Sequence, residues 1–442
     1  MPAAQVDVRI QDKLLIRLAD ARAHTDKLFD IVHFDALYER PIPERHRIVF
    51  YLGHLEAFDW NLLRDRTPGL KPFHPQFDQL FAFGIDPVGG GLPSDRPTDW
   101  PSVPEVRRYN NRVREALDAA FESIASWDFE SGGYSASVLL NVAIEHRLMH
   151  AETLAYMLHQ LPLDRKARQA NTPVANAHPV DFGMVEIPAG STVLGLSRDD
   201  AAFGWDNEYD AHRVAVPAFS IDRYKVTNAQ YLEFMNSGGY SDRSLWPEAG
   251  WEWKEEQDIR QPVFWKRRNR RWYYRTMFDE LPLPLDWPAY VSHAEASAYA
   301  RWAGKALPTE AQWHRVAYGT PDGSERPQPW GTEPPGATHG YLDFQRWDPA
   351  PVNAFPRGRS AFGVEGLIAN GWEWTSSHFG PFEGFQPFPF YPGYSVNFFD
   401  EKHYVLKGGS TRTDASMLRR SYRNWFQPHY QYIYAGFRCV SA

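Results

Sequence analysis

The stretch EHRLMHAETLAYMLHQLP, residues 145–162, sets His146 and His150 four positions apart in a run that is otherwise apolar at helical spacing. Residues i and i+4 lie one turn apart on the same side of a helix. Two imidazoles so placed can bind one metal ion, provided a third ligand arrives from elsewhere. A hydrogen-bonded or solvated histidine pair on a helix surface has the same spacing, and these residues alone leave both readings open.

The elements that must hold such a pair come next. DKLLIRLADARAHTDKLFDIV, RIVFYLGHLEAFDWNLL, PEVRRYNNRVREALDAAFESIA and SASVLLNVAIEHRLMHAETLAYMLHQL all repeat apolar residues at threes and fours, the period of an amphipathic helix. Four such segments predict a four-helix bundle over residues 1–162, an architecture that builds metal sites between facing helices. Loops rich in Pro and Gly separate them, such as FGIDPVGGGLPSDRPTDWPSVP. Residues 163–180 are polar and without period, and are expected to be a linker. From 181 to 442 the texture changes to short strand-like pieces such as VEIPAGSTVLGL, HRVAVPAFSIDRYKVT, HYVLKGGS and AGFRCVSA. A few short helices, such as those in SHAEASAYARWAGK and TEAQWHRVAY, are expected among them.

A chain of 442 residues exceeds what one hydrophobic core usually serves. The formal charge of −8 and pI near 6.1 give no basic footprint for nucleic acid. KRRNRRWYYR, residues 266–275, is the one basic aromatic run, and it reads as a solvated strand or hairpin. Cys439 is the single cysteine, which excludes an internal disulfide and any two-cysteine metal site. No apolar run approaches the roughly 20 residues of a membrane span. The N-terminus MPAAQVDVRIQDKLLIRLADAR lacks the apolar core of a signal peptide, so a cytoplasmic protein is expected. Aromatic residues make up 15%, with 17 Trp, a density suited to loops packed by large flat side chains.

The second half resembles the formylglycine-generating (sulfatase-modifying factor) family, a variant of the C-type lectin fold. The resemblance is carried by DNEYDAHRVAVPAFSIDRYKVTNAQYLEFM (206–235), YVSHAEASAYARWAGKALPTEAQW (290–313), NGWEWTSS (370–377) and VLKGGSTRTDASMLRRSYRNWFQPHYQYIYAGFRCV (405–440). That family's aerobic activity requires a pair of cysteines for copper, which this chain lacks. The first half resembles a DinB-like four-helix domain, and the two in this order resemble the ergothioneine sulfoxide synthase family. An α+β chain is therefore expected: a DinB-like bundle followed by a C-type-lectin-like domain.

The resemblance implies a non-heme iron(II) held by one histidine from a GH on an early helix and two from an HxxxH on the last. In this sequence those are His54 in FYLGHLEAF, with His146 and His150. Neutral imidazole is a suitable iron ligand, and three leave positions open for oxygen and substrates. It further implies an O2-dependent reaction joining sulfur to the imidazole C2 carbon of hercynine (trimethylhistidine). In a related branch, the selenoneine synthases, selenium from a selenosugar joins the same carbon.

The chain departs from the family pattern at the substrate side. Met149 stands where a hercynine-holding glutamine is usual, and LFAFGIDPVGGGLPSDRP has no Tyr-Tyr pair and fewer of the positive charges that grip a thiol substrate's carboxylates. Phe382, in WEWTSSHFGPFEGF, occupies the place of the catalytic tyrosine and has no proton to donate, so that step is altered or another tyrosine, such as Tyr391 or Tyr394, supplies it. SYRNWF resembles the hercynine-binding segment, with Asn424 as the amide for the imidazole nitrogen and Trp425 and Phe426 beside it. Asn424 reads equally as a loop cap, and the aromatic residues as packing, although a trimethylammonium favours an aromatic face. A selenosugar needs no basic carboxylate grip, which ranks it alongside or slightly ahead of a thiol donor. A monomer acting on small molecules, without nucleic acid or membrane, is expected. The alternative is a lectin-like small-molecule-binding protein with a structural metal and no redox activity.

Overall fold

Apolar residues at threes and fours wind the first part of the chain into α1 (Pro2–Phe29), α2 (Ile48–Leu63), the short α3 (Pro75–Leu80), α4 (Val103–Ser123) and α5 (Ala136–Gln160). Two-residue strands β1 (Glu130–Ser131) and β2 (Tyr134–Ser135) pair antiparallel ahead of α5. The computed structural model describes residues 2–67, 69–82, 92–123, 130–131, 134–169, 179–200 and 202–441. The chain divides into two units, Met1–Gln169 and Ala170–Ala442. Among the described residues no helix is long and apolar enough to cross a membrane.

The four expected long helices are present. Buried residues of α4 (Val103, Val106, Tyr109, Val113, Leu117 and Phe121) recur at threes and fours, the one-sided pattern of a helix that keeps a face in water. Helices α2 and α5 are buried nearly all round, which makes them the centre of the unit. α1 runs along α5, while α2 packs against both α4 and α5. α5 stops at Leu161 (φ −64°, ψ 138°), ahead of Pro162, in the extended backbone that a residue before proline prefers.

Residues 163–169, read from the sequence as the start of a linker, pack on this unit. The Ala167 N–H donates to Ile31 O at 2.7 Å and the His33 N–H to Arg165 O at 3.0 Å. The buried Lys166 ammonium donates to Leu158 O at 2.8 Å. Residues 170–178 of that segment, and 83–91 of the Pro- and Gly-rich loop, lie outside the described residues.

In the second unit β3 (Met184–Ile187), β6 (Phe219–Asp222) and β14 (Val440–Ser441) form one antiparallel sheet with β6 central. β4 (Gly190–Leu194) and β5 (His212–Val216) form a hairpin. Helices α6 (Asn228–Asn236) and α7 (Glu248–Glu256) follow. A meander then runs through β7 (Trp265–Arg268), β8 (Arg271–Arg275) and β9 (Glu280–Pro282). The basic run is thus a hairpin, turning at Asn269 and Arg270, both with positive φ. After α8 (His293–Trp302) and α9 (Glu310–Tyr318), a four-stranded sheet is ordered β12 (Asn424–Phe426), β11 (Tyr404–Lys407), β10 (Trp372–His378), β13 (Ala435–Gly436).

Strands this short need help from side chains. Trp205, Trp265, Trp287, Trp313 and Trp374 are fully buried, and Trp313 joins Ile187, Ile221, Val316 and Leu367 in one core. Inside it Glu373 accepts from Trp313 Nε1 (2.9 Å) and from Arg438 (2.7 Å), and pairs with Lys225 at 3.0 Å. The sheet is thereby pinned by charge as well as by apolar packing.

Candidate metal centre

His54 lies in the middle of α2, and His146 and His150 lie one turn apart on α5. All three are buried, at 4%, 3% and 6% exposure. His150 Nε2 is 3.2 Å from His54 Nε2 and 3.1 Å from His146 Nε2. Among the described residues this is the one group of His, Cys and carboxylate side chains whose ligand atoms converge, all within 4.8 Å of one another.

Neighbouring groups set the direction and charge of each ring. The Phe81 carbonyl can only accept, so His54 Nδ1–H donates to it at 2.7 Å. That fixes the tautomer and turns the Nε2 lone pair toward the other two histidines. Phe50 stacks on His54 at 4.9 Å, and Phe58 lies flat on His146 at 3.4 Å and 9°. Phe81 is held in turn by α3, whose Asp78 accepts from Tyr109 (2.8 Å), Arg64 (3.0 Å) and Trp60 (3.2 Å). Burial drives the His54 imidazole down from its ordinary 6.5 to about 4. His146 and His150 fall well below it, first through burial, then through neighbouring histidines (His150 and His54 on His146, His54 on His150), with the Arg45 cation acting on His150 and the Arg147 cation on both. All three are neutral at pH 7, the form that binds a metal.

The donor set fits a metal ion. Imidazole nitrogens about 2.1 Å from a common ion stand about 3.0 Å apart at right angles and about 3.4 Å apart at tetrahedral angles. The 3.1 and 3.2 Å from His150 Nε2 to the other two lie between those values, and all three ligand atoms are within 4.8 Å of one another. Three neutral imidazoles suit iron, zinc, copper or nickel.

The remaining candidate residues divide among several surroundings. Met149 sits on α5 between His146 and His150 and is half-buried. In the second unit, Tyr394 is buried and stacks on Trp205 at 3.9 Å, with Tyr391 5.5 Å away. Trp425 lies parallel to Phe379 at 4.0 Å and meets Tyr394 edge-on at 5.3 Å. Phe382 lies elsewhere in the loop after β10, its ring 4.2 Å from the Arg423 guanidinium and 4.4 Å from His212. Alternation along β12 puts Asn424 and Phe426 on one side and Trp425 on the other, and Phe426 stacks on Tyr430 at 5.1 Å. Asn424 Oδ1 accepts the Trp425 N–H at 2.9 Å, which leaves the amide NH2 as the end that can meet a ligand acceptor.

Residues 169–442 match the sulfatase-modifying factor enzyme 1-like domain, and residues 17–154 match the DinB superfamily. The chain is 36% identical to a hercynine oxygenase of Mycobacterium tuberculosis, in an alignment covering 97% of this chain and 98% of that one. The chain belongs to the hercynine oxygenase family. An ergothioneine biosynthesis protein 1 from Neurospora crassa is 28% identical over 92% of this chain and 55% of its own length. Against a formylglycine-generating enzyme of Bos taurus the identity is 34%, over 48% of this chain and 63% of that one.

Two supports of the histidine site in this hercynine oxygenase family member escaped the sequence reading. The Phe81 carbonyl is a backbone atom 27 positions from His54, and no pattern of side chains marks it. Gly53 was the available signal, because glycine inside a helix costs about 1 kcal/mol relative to alanine. A Cβ there would stand 2.5 Å from the Phe81 ring. The glycine of the GH pair is what lets Phe81 come close enough to orient the histidine. Arg147, next to His146, was the other omission.

Proposed function

We propose that this protein is a non-heme iron(II), O2-dependent oxidoreductase that forms a carbon–sulfur or carbon–selenium bond at the imidazole C2 of hercynine. The observation that carries the proposal is the buried, neutral triad His54, His146 and His150, with His150 Nε2 3.2 and 3.1 Å from the other two, in a chain that aligns end to end with a hercynine oxygenase. His54, His146 and His150 would hold the iron through Nε2. Bound iron would supply the activation of dioxygen and of a soft sulfur or selenium nucleophile.

The chain's own groups supply recognition. The Asn424 amide would donate to an imidazole nitrogen of hercynine, its orientation held by the Trp425 N–H on Oδ1. Phe426, on the same side of β12 as Asn424, would offer an aromatic face to the permanent cation of the trimethylammonium. Phe382 has no proton to give, so Tyr391 or Tyr394 is the proposed donor where one is needed. The absence of a Tyr-Tyr pair and the few positive charges in residues 80–97 favour a donor without carboxylates. A selenosugar meets that condition, and γ-glutamylcysteine does not.

The test is oxygen uptake by anaerobically iron-loaded protein on addition of hercynine and a donor. The proposal expects uptake that needs hercynine and disappears in His146→Ala. A protein that holds iron but consumes no oxygen with any donor would be a binding protein with a structural metal.

A further inference from the structure

Arg147 follows the first α5 histidine directly in sequence, yet its wholly buried guanidinium hydrogen-bonds α2 and α1 through Glu56, Asp59, the Leu55 carbonyl and Thr25. It donates from Nη1 to Glu56 Oε1 at 2.9 Å and from Nη2 to Glu56 Oε2 at 2.9 Å, a two-pronged contact with α2. Nη2 also donates to Asp59 Oδ2 at 2.6 Å and to the Leu55 carbonyl at 3.1 Å. Nη1 reaches Thr25 Oγ1 on α1 at 3.4 Å. Glu56 accepts in addition from Arg114 of α4, 2.6 Å from Nη2, and Arg114 grips Asp26 of α1 at 2.7 Å. The grip on α2 therefore falls at residues 55, 56 and 59, within two turns of His54.

We infer that Arg147 is the positioning residue of the three-histidine site: its fork fixes the distance and rotation of α2 against α5, so that His54 meets His146 and His150. The inference rests on the metal reading above. Leu55 adjoins one ligand and Arg147 adjoins another, so the guanidinium–carbonyl contact sets the spacing between the two ligand-bearing backbones directly. A planar guanidinium on a carboxylate constrains orientation as well as distance, whereas apolar side chains would let the helices slide. Stability does not require the arrangement, because a buried ion pair is often matched by well-packed apolar residues. Attraction for a metal does not require it either, since a nearby cation repels a metal ion.

Charge and geometry consequently predict opposite results on removing Arg147. Loss of the cation, with Glu56 and Asp59 left in place, would tighten metal binding if electrostatics ruled. Loss of the fork would weaken it if positioning ruled. The experiment is anaerobic titration of the full chain with Co(II), followed by its visible absorption band, for wild type, His146→Ala, Arg147→Met, Arg147→Lys and Glu56→Gln. Wild type binding Co(II) and His146→Ala failing to do so establishes the metal site independently, and the converse would remove the site itself. Given that site, Arg147→Met with helical circular dichroism retained should bind Co(II) at least about tenfold more weakly, the scale of losing a ligand's orienting partner. Its absorption band should shift, and Arg147→Lys should recover part of the loss. Affinity in Arg147→Met equal to or tighter than wild type overturns the inference. Should Arg147→Met fail to fold, the other two variants decide: weakened binding in both supports positioning, and wild-type affinity in either contradicts it.

Discussion

The two places that carry candidate chemistry are built in opposite ways. The histidine centre stands on α2 and α5, whose ligand-bearing turns are buried on nearly every side and tied together by Arg147, Glu56 and Asp59. The candidate substrate residues Phe382, Tyr391 and Tyr394 lie in the long loop between β10 and β11, held by ring stacking and by Arg423, itself paired with Glu310 at 3.0 Å. A rigid pair of helices fixes atoms to a fraction of an ångström, which a metal needs. Loops tolerate exchange of side chains without loss of the scaffold. The contrast bears on Phe382, which stands in the tolerant loop, and not on Met149, which stands on α5 itself between His146 and His150.

The comparison breaks first at the ligands. His146→Ala should lose most bound iron while keeping its helical circular dichroism. The loss of affinity should exceed the roughly 10–100-fold that follows removal of a ligand's orienting partner. Full iron occupancy in that variant, measured by metal analysis, would end the assignment.

Next in size is Gly53→Ala. The added methyl meets the Phe81 ring at 2.5 Å, so the ring must move, and the carbonyl is expected to move with it, at a cost of about 1–3 kcal/mol for overpacking. Thermal melting should show that loss, and metal titration should show weaker binding in the protein that remains folded. An unchanged metal affinity would mean that the carbonyl does not orient His54.

The pH response separates the helices from ordinary surface groups. His54 titrates near 4 when folded and near 6.5 when unfolded, so between those values the unfolded chain binds the extra proton. The sign follows: this contribution to metal-free stability is intact above about pH 6.5 and is lost as pH falls toward 4. Imidazole NMR resonances of His54 should stay in their neutral positions at pH 5.5, and a midpoint near 6.5 would contradict the buried geometry.

The smallest effect belongs to the loop. Phe382→Tyr should change stability by less than about 0.5 kcal/mol, as expected of a partly exposed site. Selenium transfer should be nearly unaffected and side activity with thiols raised, read as product yield with paired donors. Efficient sulfoxide formation by the wild type from γ-glutamylcysteine would show that the departures at Phe382 and in residues 80–97 do not select the donor.

Legibility in the sequence follows the same division. The period of α2 and α5, and the four-residue step from His146 to His150, are local facts and survive folding unchanged. Capping boxes such as Thr227 with Gln230, Ser292 with Glu295 and Thr309 with Gln312 mark short helices as plainly. The Phe81 carbonyl was invisible because backbone acceptors carry no sequence mark. Arg147 was invisible because an arginine on a helix usually reads as solvated. Lys166 hid the end of the first unit in the same way, its charge suggesting a linker while its ammonium caps the α5 carbonyl of Leu158. In β12 the sequence NWF suggested one recognition surface, but strand alternation sends Trp425 to the face opposite Asn424 and Phe426.

The central claim is most directly tested by incubating the iron-loaded full chain in air with hercynine and, separately, cysteine, γ-glutamylcysteine or a selenosugar, and reading product masses. The account predicts hercynine bearing sulfur or selenium on its imidazole carbon for at least one donor, with the selenosugar foremost, and none in His146→Ala. Hercynine recovered unchanged with every donor at full iron occupancy would contradict it.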